Sequence, residues 1–186
     1  MPYVYTFQDN CEDKAILGNK GANLVTMTRL GLPVPPGFIL SVDSYAEYKK
    51  SGRLHETEIK QAMADLEKHA GKKLGKELQV SVRSSAPVSM PGMMDTVLNV
   101  NDIADMKTAA KRVFDSWDNL RAVEYRRINN IPADLGTAVI IQAMVFGNKD
   151  ANSGTGVVFS RDPSTGQKGL SGEYLRQAQG EELVSG

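Results

Sequence analysis

Arg83 stands at the end of an alternating apolar run and opens a long loop, within "SVRSSAPVSMPGMMDT" over residues 81–96. A guanidinium carries a planar fork of N–H donors that meets two oxygens of a phosphate or carboxylate at once. Ser84, Ser85 and Ala86 follow it, small enough for backbone amides and hydroxyls to come close to an anion. Pairing with a carboxylate across a sheet would explain the arginine equally well, and the two readings stand level. A second cation, Lys20, lies in "GNKG" over 18–21 at the start of a helical stretch. The first amides of a helix lack internal partners and favour an anion. The spacing is not that of a Walker A loop, and on local grounds a solvated lysine beside a glycine turn is the reading to prefer.

A third cation, Arg161, precedes Asp162-Pro163 at a strand end, where a salt-bridged turn explains it. Gly154-Thr155-Gly156 begins like a dinucleotide fingerprint, but Phe159 occupies the third glycine position and a strand follows instead of a helix. His55 and His69 are expected to face solvent from the charged side of a helix. Cys11 has no local signature of a catalytic thiol, and no acidic spacing singles out a pair for proton transfer or magnesium. Met90, Met93 and Met94 read as core packing. The residues offer two cationic anchors suited to a phosphate-rich ligand, and no nucleophile.

These anchors need elements to hold them. Leu24, Val25, Met27 and Leu30 mark a helical face stopped by Gly31, and Phe38-Ile39-Leu40 follows as a strand. Ser44 with Glu47 suggests a capping box for a helix over 44–50. Ile59, Ala62, Met63, Leu66 and Ala70 predict a helix ended by Gly71. Leu78, Val80 and Val82 alternate with polar residues, as in a half-buried strand. Asp102 is placed to cap a helix carrying Ile103, Met106, Ala110, Val113, Phe114 and Trp117. A further helix spans about 119–129. Runs over 137–146 and 156–160 read as a hairpin joined by the turn chemistry of 147–154, with at least one strand buried on both faces. The domain division is expected near residue 100, giving lobes over 1–100 and 101–186.

Composition sets outer bounds. Lysine plus arginine equals aspartate plus glutamate at 22 each, so nothing attracts nucleic acid or membrane in general and any anion site is local. A single cysteine fits a reducing, cytoplasmic setting. The first residues lack a signal-peptide pattern, and no apolar run reaches membrane-spanning length.

"LGNKGANLVTMTRLGLPVPPGFILS" (17–41), "VSVRSSAPVSMPGMMDTVLNV" (80–100), "LGTAVIIQAMVFGN" (135–148) and "SGTGVVFSRDPSTGQKGLSGEYLRQAQGEELVSG" (153–186) resemble, in order, the nucleotide-binding domain of pyruvate phosphate dikinases. Phosphoenolpyruvate synthases share the glycine-lysine and arginine-serine elements but not the Met-Pro-Gly-Met-Met-Asp-Thr run at 90–96. The resemblance implies an α+β, ATP-grasp fold of two lobes, the second incomplete. It implies ATP and Mg2+ as ligands, with Lys20 and Arg83 on the phosphates. The loop from Ser84 to Thr96 would cover those phosphates, and Arg161 would be a further phosphate-side contact. Gln142, Met144 and Val145 would meet adenine mainly through backbone groups. The family passes the β-phosphoryl group of ATP to a histidine on a separate domain, and from there to pyruvate, giving phosphoenolpyruvate. Neither the histidine domain nor the pyruvate domain is within these 186 residues. A long helical segment of the family is also replaced by Asn101-Asp102-Ile103-Ala104-Asp105. Magnesium ligands cannot be carried over. An unpaired sheet edge in the second lobe would invite homo-oligomers. A non-catalytic nucleotide-binding module is the alternative to a dikinase domain.

Overall fold

The computed structural model describes residues 2–184. The chain forms two compact units, Met1–Met144 and Val145–Gly186. In the first, strands β1 (Val4–Thr6), β2 (Gly37–Leu40), β3 (Val80–Ser85), β4 (Thr96–Val100) and β5 (Ala138–Ala143) make one sheet. Its order is β1-β2-β5-β3-β4, with every pair antiparallel. Helices α1 (Lys14–Arg29), α2 (Val42–Ser51), α3 (Glu56–Ala70), α4 (Ile103–Asp115) and α5 (Leu120–Ile128) complete this unit. The second unit contains the antiparallel pair β6 (Gly154–Arg161) and β7 (Lys168–Arg176), followed by α6 (Gly180–Val184).

The compact units thus divide after Met144, whereas the sequence places the division near residue 100. The reason is topological: β5, from the later part of the chain, inserts between β2 and β3 at the sheet centre. A strand buried on both faces needs neighbours on both edges, and all six residues of β5 are buried. The hairpin expected between β5 and β6 is therefore not formed. β6 turns back on β7 instead, through Asp162 to Gln167. There the Asp162 carboxylate accepts from the Ser164 and Thr165 amides, each at 2.8 Å. Both candidate turns contain Gly, Asp and Ser, so turn chemistry does not choose between them.

Alternation of the strands gives the sheet two faces. Phe38, Leu40, Val80, Val82, Val139 and Ile141 pack against Ile59, Met63 and Leu66 of α3 and Met106, Val113 and Phe114 of α4. Tyr5, Ile39, Ala138 and Ile140 face the other way and meet Leu17 and Val25 of α1. The buried stripe of α1 therefore runs through Leu17, Gly21 and Val25. Leu30, expected on that stripe, is 72% exposed. β3 is likewise not half-buried: Ser81, Ser84 and Ser85 are buried along with its valines, because α4 packs on one face of the strand and α1 on the other.

Local signals fare unevenly. Asp102 caps α4 as expected, accepting from the Ala104 and Asp105 amides, and Gly71 ends α3 in the left-handed conformation. The cap of α2 is Ser41, whose hydroxyl accepts from the Ser44 amide at 3.2 Å, and not Ser44 with Glu47. Such a cap is worth about 1 kcal/mol. His69 is exposed, but His55 is half-buried, its ring stacked on Tyr3 with centroids 3.6 Å apart. The methionine expectation holds. Met90 is buried with Ala86, Trp117 and Ala122, and Met93 and Met94 pack against them. Among the described residues no helix is long and apolar enough to cross a membrane.

At the end of α3, Glu67 accepts from Lys73 Nζ at 2.6 Å and from the Leu74 amide at 3.0 Å. The lysine hydrogen bond first, then the amide, holds this carboxyl below its ordinary value of 4.5. A carboxyl with a lowered folded pKa contributes stability above its unfolded pKa and loses it as pH falls through the folded one. Urea melts from pH 6 down to 3 should therefore show a loss that Glu67→Gln reduces. An identical pH slope in the variant would refute this.

Candidate functional site

One glycine sets the geometry. Gly18 interrupts α1 with φ +68° and ψ 170°, a region essentially restricted to glycine. A β-carbon there would sit 1.7 Å from the Ser85 carbonyl oxygen. This close approach lets the restarted helix engage the end of β3. The Asn19 amide donates to the Ala86 carbonyl at 2.8 Å, and the Gly21 amide to Ser85 Oγ at 3.0 Å. Ser85 Oγ in turn donates to the Leu17 carbonyl at 2.9 Å. Two amides that the sequence offers to an anion are thus occupied by β3. What the turn presents instead is Lys20, whose Nζ donates to the Ser84 carbonyl at 3.0 Å.

Arg83 projects from the face of the sheet that α1 covers. Its register partners are Ile140 on β5 and Thr96 on β4. One terminal nitrogen, Nη2, donates to Gln142 Oε1, and Gln142 Nε2 donates to the Pro35 carbonyl at 2.9 Å. The Arg83 Nε is buried without a hydrogen-bond partner. None of the ion pairs among the described residues includes Lys20 or Arg83. That removes the carboxylate-paired reading of Arg83. The two cations also sense each other. Burial, then the Arg83 charge, pushes Lys20 below the usual lysine value, although the residue as a whole is exposed. Burial lowers Arg83 as well. An anion placed between them would relieve both penalties.

The other candidate residues separate into three groups. Thr96 is exposed beside Arg83 on the same face. Ser84 points to the opposite face, opposite Val139, and only its carbonyl reaches the site, through Lys20. In the segment expected to meet adenine, the Ala143 amide already donates to the Pro36 carbonyl and the Met144 amide to the Gln79 carbonyl, each at 2.9 Å. Met144 Sδ accepts from the Asn99 amide at 3.1 Å, and Val145 is 71% exposed. Arg161 lies in the second unit, where its Nη1 donates to the Gly166 carbonyl across the β6–β7 turn.

The loop after β3 is fastened from below. Asn119 Nδ2 donates to the Met93 carbonyl at 3.0 Å, and the Asp95 amide donates to Ser116 Oγ at 3.0 Å. The Asp95 carboxylate is held by Arg112 at 2.8 Å and Arg121 at 3.7 Å. A cavity of about 120 Å³ lies under the loop, bordered by Asn19, Lys20, Ala86, Ser89, Met90 and Met94. It is smaller than the roughly 300 Å³ that a whole small-molecule ligand occupies. The sequence reading offers Ser85 to an anion instead of to α1, and misses Asn119 and the side chain of Gln142. No local spacing marks them, because each acts on a residue distant in the chain. Among the described residues no three His, Cys, Asp or Glu side chains gather as a metal site. What the arrangement can offer an anion is the positive charge of Lys20 and Arg83.

Comparison with known proteins agrees with that chemistry. The family described as pyruvate phosphate dikinase, AMP/ATP-binding domain, matches residues 55–186. Pyruvate, phosphate dikinase of Clostridium symbiosum is 37% identical over 281 aligned positions, covering 99% of this chain and 32% of that protein. The chloroplastic enzyme of Mesembryanthemum crystallinum is 35% identical, covering 98% and 30%. The Rickettsia typhi enzyme is 34% identical, covering 98% and 32%. The chain spans about a third of the length of these relatives. Because the first alignment has 281 positions against 186 residues, at least 95 are filled by the relative alone. With most of its length matched by the family and nearly all of it by the relatives, the chain belongs to the pyruvate phosphate dikinase AMP/ATP-binding domain family.

Proposed function

We propose that Lys20 and Arg83 hold the phosphates of ATP on the α1 face of the sheet, in an ATP-grasp arrangement whose second lobe is partial. The observation that carries this reading is the placement of two neighbouring cations without a carboxylate partner among the described ion pairs, Lys20 anchored on the Ser84 carbonyl and Arg83 on Gln142. Such a pair is unfavourable until an anion joins it, and the family provides ATP as that anion. Thr96 and the loop from Ser84 flank the phosphates, and Gln142 and Met144 border the base.

The residues around Arg83 do not make a metal cage, and the nearby Asp95 is occupied by two arginines. Mg2+ fits here as a companion of the nucleotide, bound largely by its phosphates and water. The work of the chain is then to position the phosphates and to balance their charge. In the longer dikinase, phosphoryl transfer to a histidine on a separate domain, and then to pyruvate, would take place in the cytoplasm around this unit.

Calorimetric titration with ATP, with and without Mg2+, tests the reading. Saturable heat is expected, weakened about tenfold by Lys20→Met, which removes one charge-assisted contact. No heat from either ATP or AMP would overturn it. The absence of at least 95 positions present in the relative favours a second reading, a module that binds nucleotide without turnover. Labelled ATP mixed with a separately produced histidine domain decides between the two. Labelled phosphohistidine supports the dikinase domain, and its absence with ATP still bound supports the module.

A further inference from the structure

The geometry points to Gln142 as the positioning residue for Arg83, an inference that rests on the phosphate reading above for its functional half. Gln142 is 6% exposed and sits on the central strand β5. It uses both ends of its amide: Oε1 accepts from Arg83 Nη2, and Nε2 donates to the Pro35 carbonyl. The second bond decides which way the amide faces, because only the NH2 end can donate to a carbonyl. Oε1 is thereby left facing the guanidinium. The proline run before β2 thus fixes the orientation of an arginine on β3 through a side chain on the strand between them.

The type of residue matters as much as its place. A carboxylate at this position would pair with Arg83 and compete with a phosphate for its charge, while facing the Pro35 carbonyl without a proton to donate. A neutral acceptor restrains one nitrogen of the guanidinium and leaves the positive charge uncompensated. The unpartnered Nε of Arg83 shows that the group has donor capacity left. In effect the glutamine aims the arginine without neutralising it.

Two experiments separate this inference from the function it serves. In the ligand-free protein, 15N-edited NMR should show slowly rotating Arg83 side-chain N–H groups, assigned by their loss in Arg83→Ala. Gln142→Met, of similar volume, should shift and broaden them while thermal unfolding remains cooperative. Unaltered Arg83 signals in Gln142→Met would overturn the positioning role whether or not ATP binds. For binding, Gln142→Met should weaken ATP about tenfold in the wild-type background and less than twofold in the Arg83→Ala background. Equal losses in both backgrounds would mean that Gln142 acts on the nucleotide or on the fold directly, which also overturns the inference. Gln142→Glu is expected to weaken ATP further than Gln142→Met, and equal or tighter binding would contradict the need for a neutral acceptor. If wild-type protein fails to bind ATP while the NMR result holds, the proposed function falls and the Gln142–Arg83 coupling stands.

Discussion

Gly18→Ala is expected to destabilise the first unit by about 4 kcal/mol, combining a glycine-only backbone region of roughly 1–3 kcal/mol with overpacking of roughly 1–3 kcal/mol. The added carbon would lie 1.7 Å from the Ser85 carbonyl oxygen and 2.4 Å from Ser85 Oγ. Neither the backbone carbonyl at the end of β3 nor a buried hydroxyl bonded to both Gly21 and Leu17 can retreat far. Relaxation would have to come from α1. Moving α1 away from β3 breaks the Asn19–Ala86 and Gly21–Ser85 contacts and takes Lys20 from its place over Ser84. A urea midpoint within error of wild type would show that the kink is not needed. If the variant stays folded, its ATP affinity should fall along with its stability, since the same contact serves both.

Arg83→Ala is the second large effect, expected on binding and not on stability. Losing a charge-assisted contact weakens ATP by roughly 1.5–3 kcal/mol, about 10- to 150-fold. Removing a desolvated guanidinium from beside Lys20 relieves repulsion, so the folded state should not suffer by more than about 1 kcal/mol. Arg83→Lys keeps the charge but has no fork to share between Gln142 and a phosphate, and should fall between wild type and the alanine variant. Calorimetry and urea melts on the same preparations check both halves. Unchanged ATP affinity in Arg83→Ala would place the phosphates elsewhere. A large loss of stability would instead assign Arg83 a structural role.

Elements with a complete local signal were legible. The helix over Glu56–Ala70 has its periodic apolar face and its glycine stop within one stretch, and Asp102 caps α4 from one residue away. The two cations of the proposed site are visible in the sequence, because "GNKG" and "VRSS" each contain the charged residue and its small neighbours. Elements that depend on a distant partner were not. The sequence pairs β5 with β6 where the structure pairs β6 with β7, because turn chemistry is local and sheet order is a property of the whole chain. Leu30 does not share the buried face because it is the C-cap of α1, five residues past buried Val25 and so turned about 140° away from it around the helix axis.

By itself, the sequence determined the charges of the proposed site, a lysine and an arginine beside small residues, and a family resemblance that the comparisons bear out. Only the tertiary structure decided how those charges are held. It placed β5 between β2 and β3, gave the helix amides to Ser85 and Ala86, left Arg83 without a carboxylate, and turned Gln142 toward it. The reason is one of range. Charge, size and backbone preference belong to a residue and its immediate neighbours, whereas desolvation and hydrogen-bond partnership arise only when segments 59 to 107 residues apart are packed together.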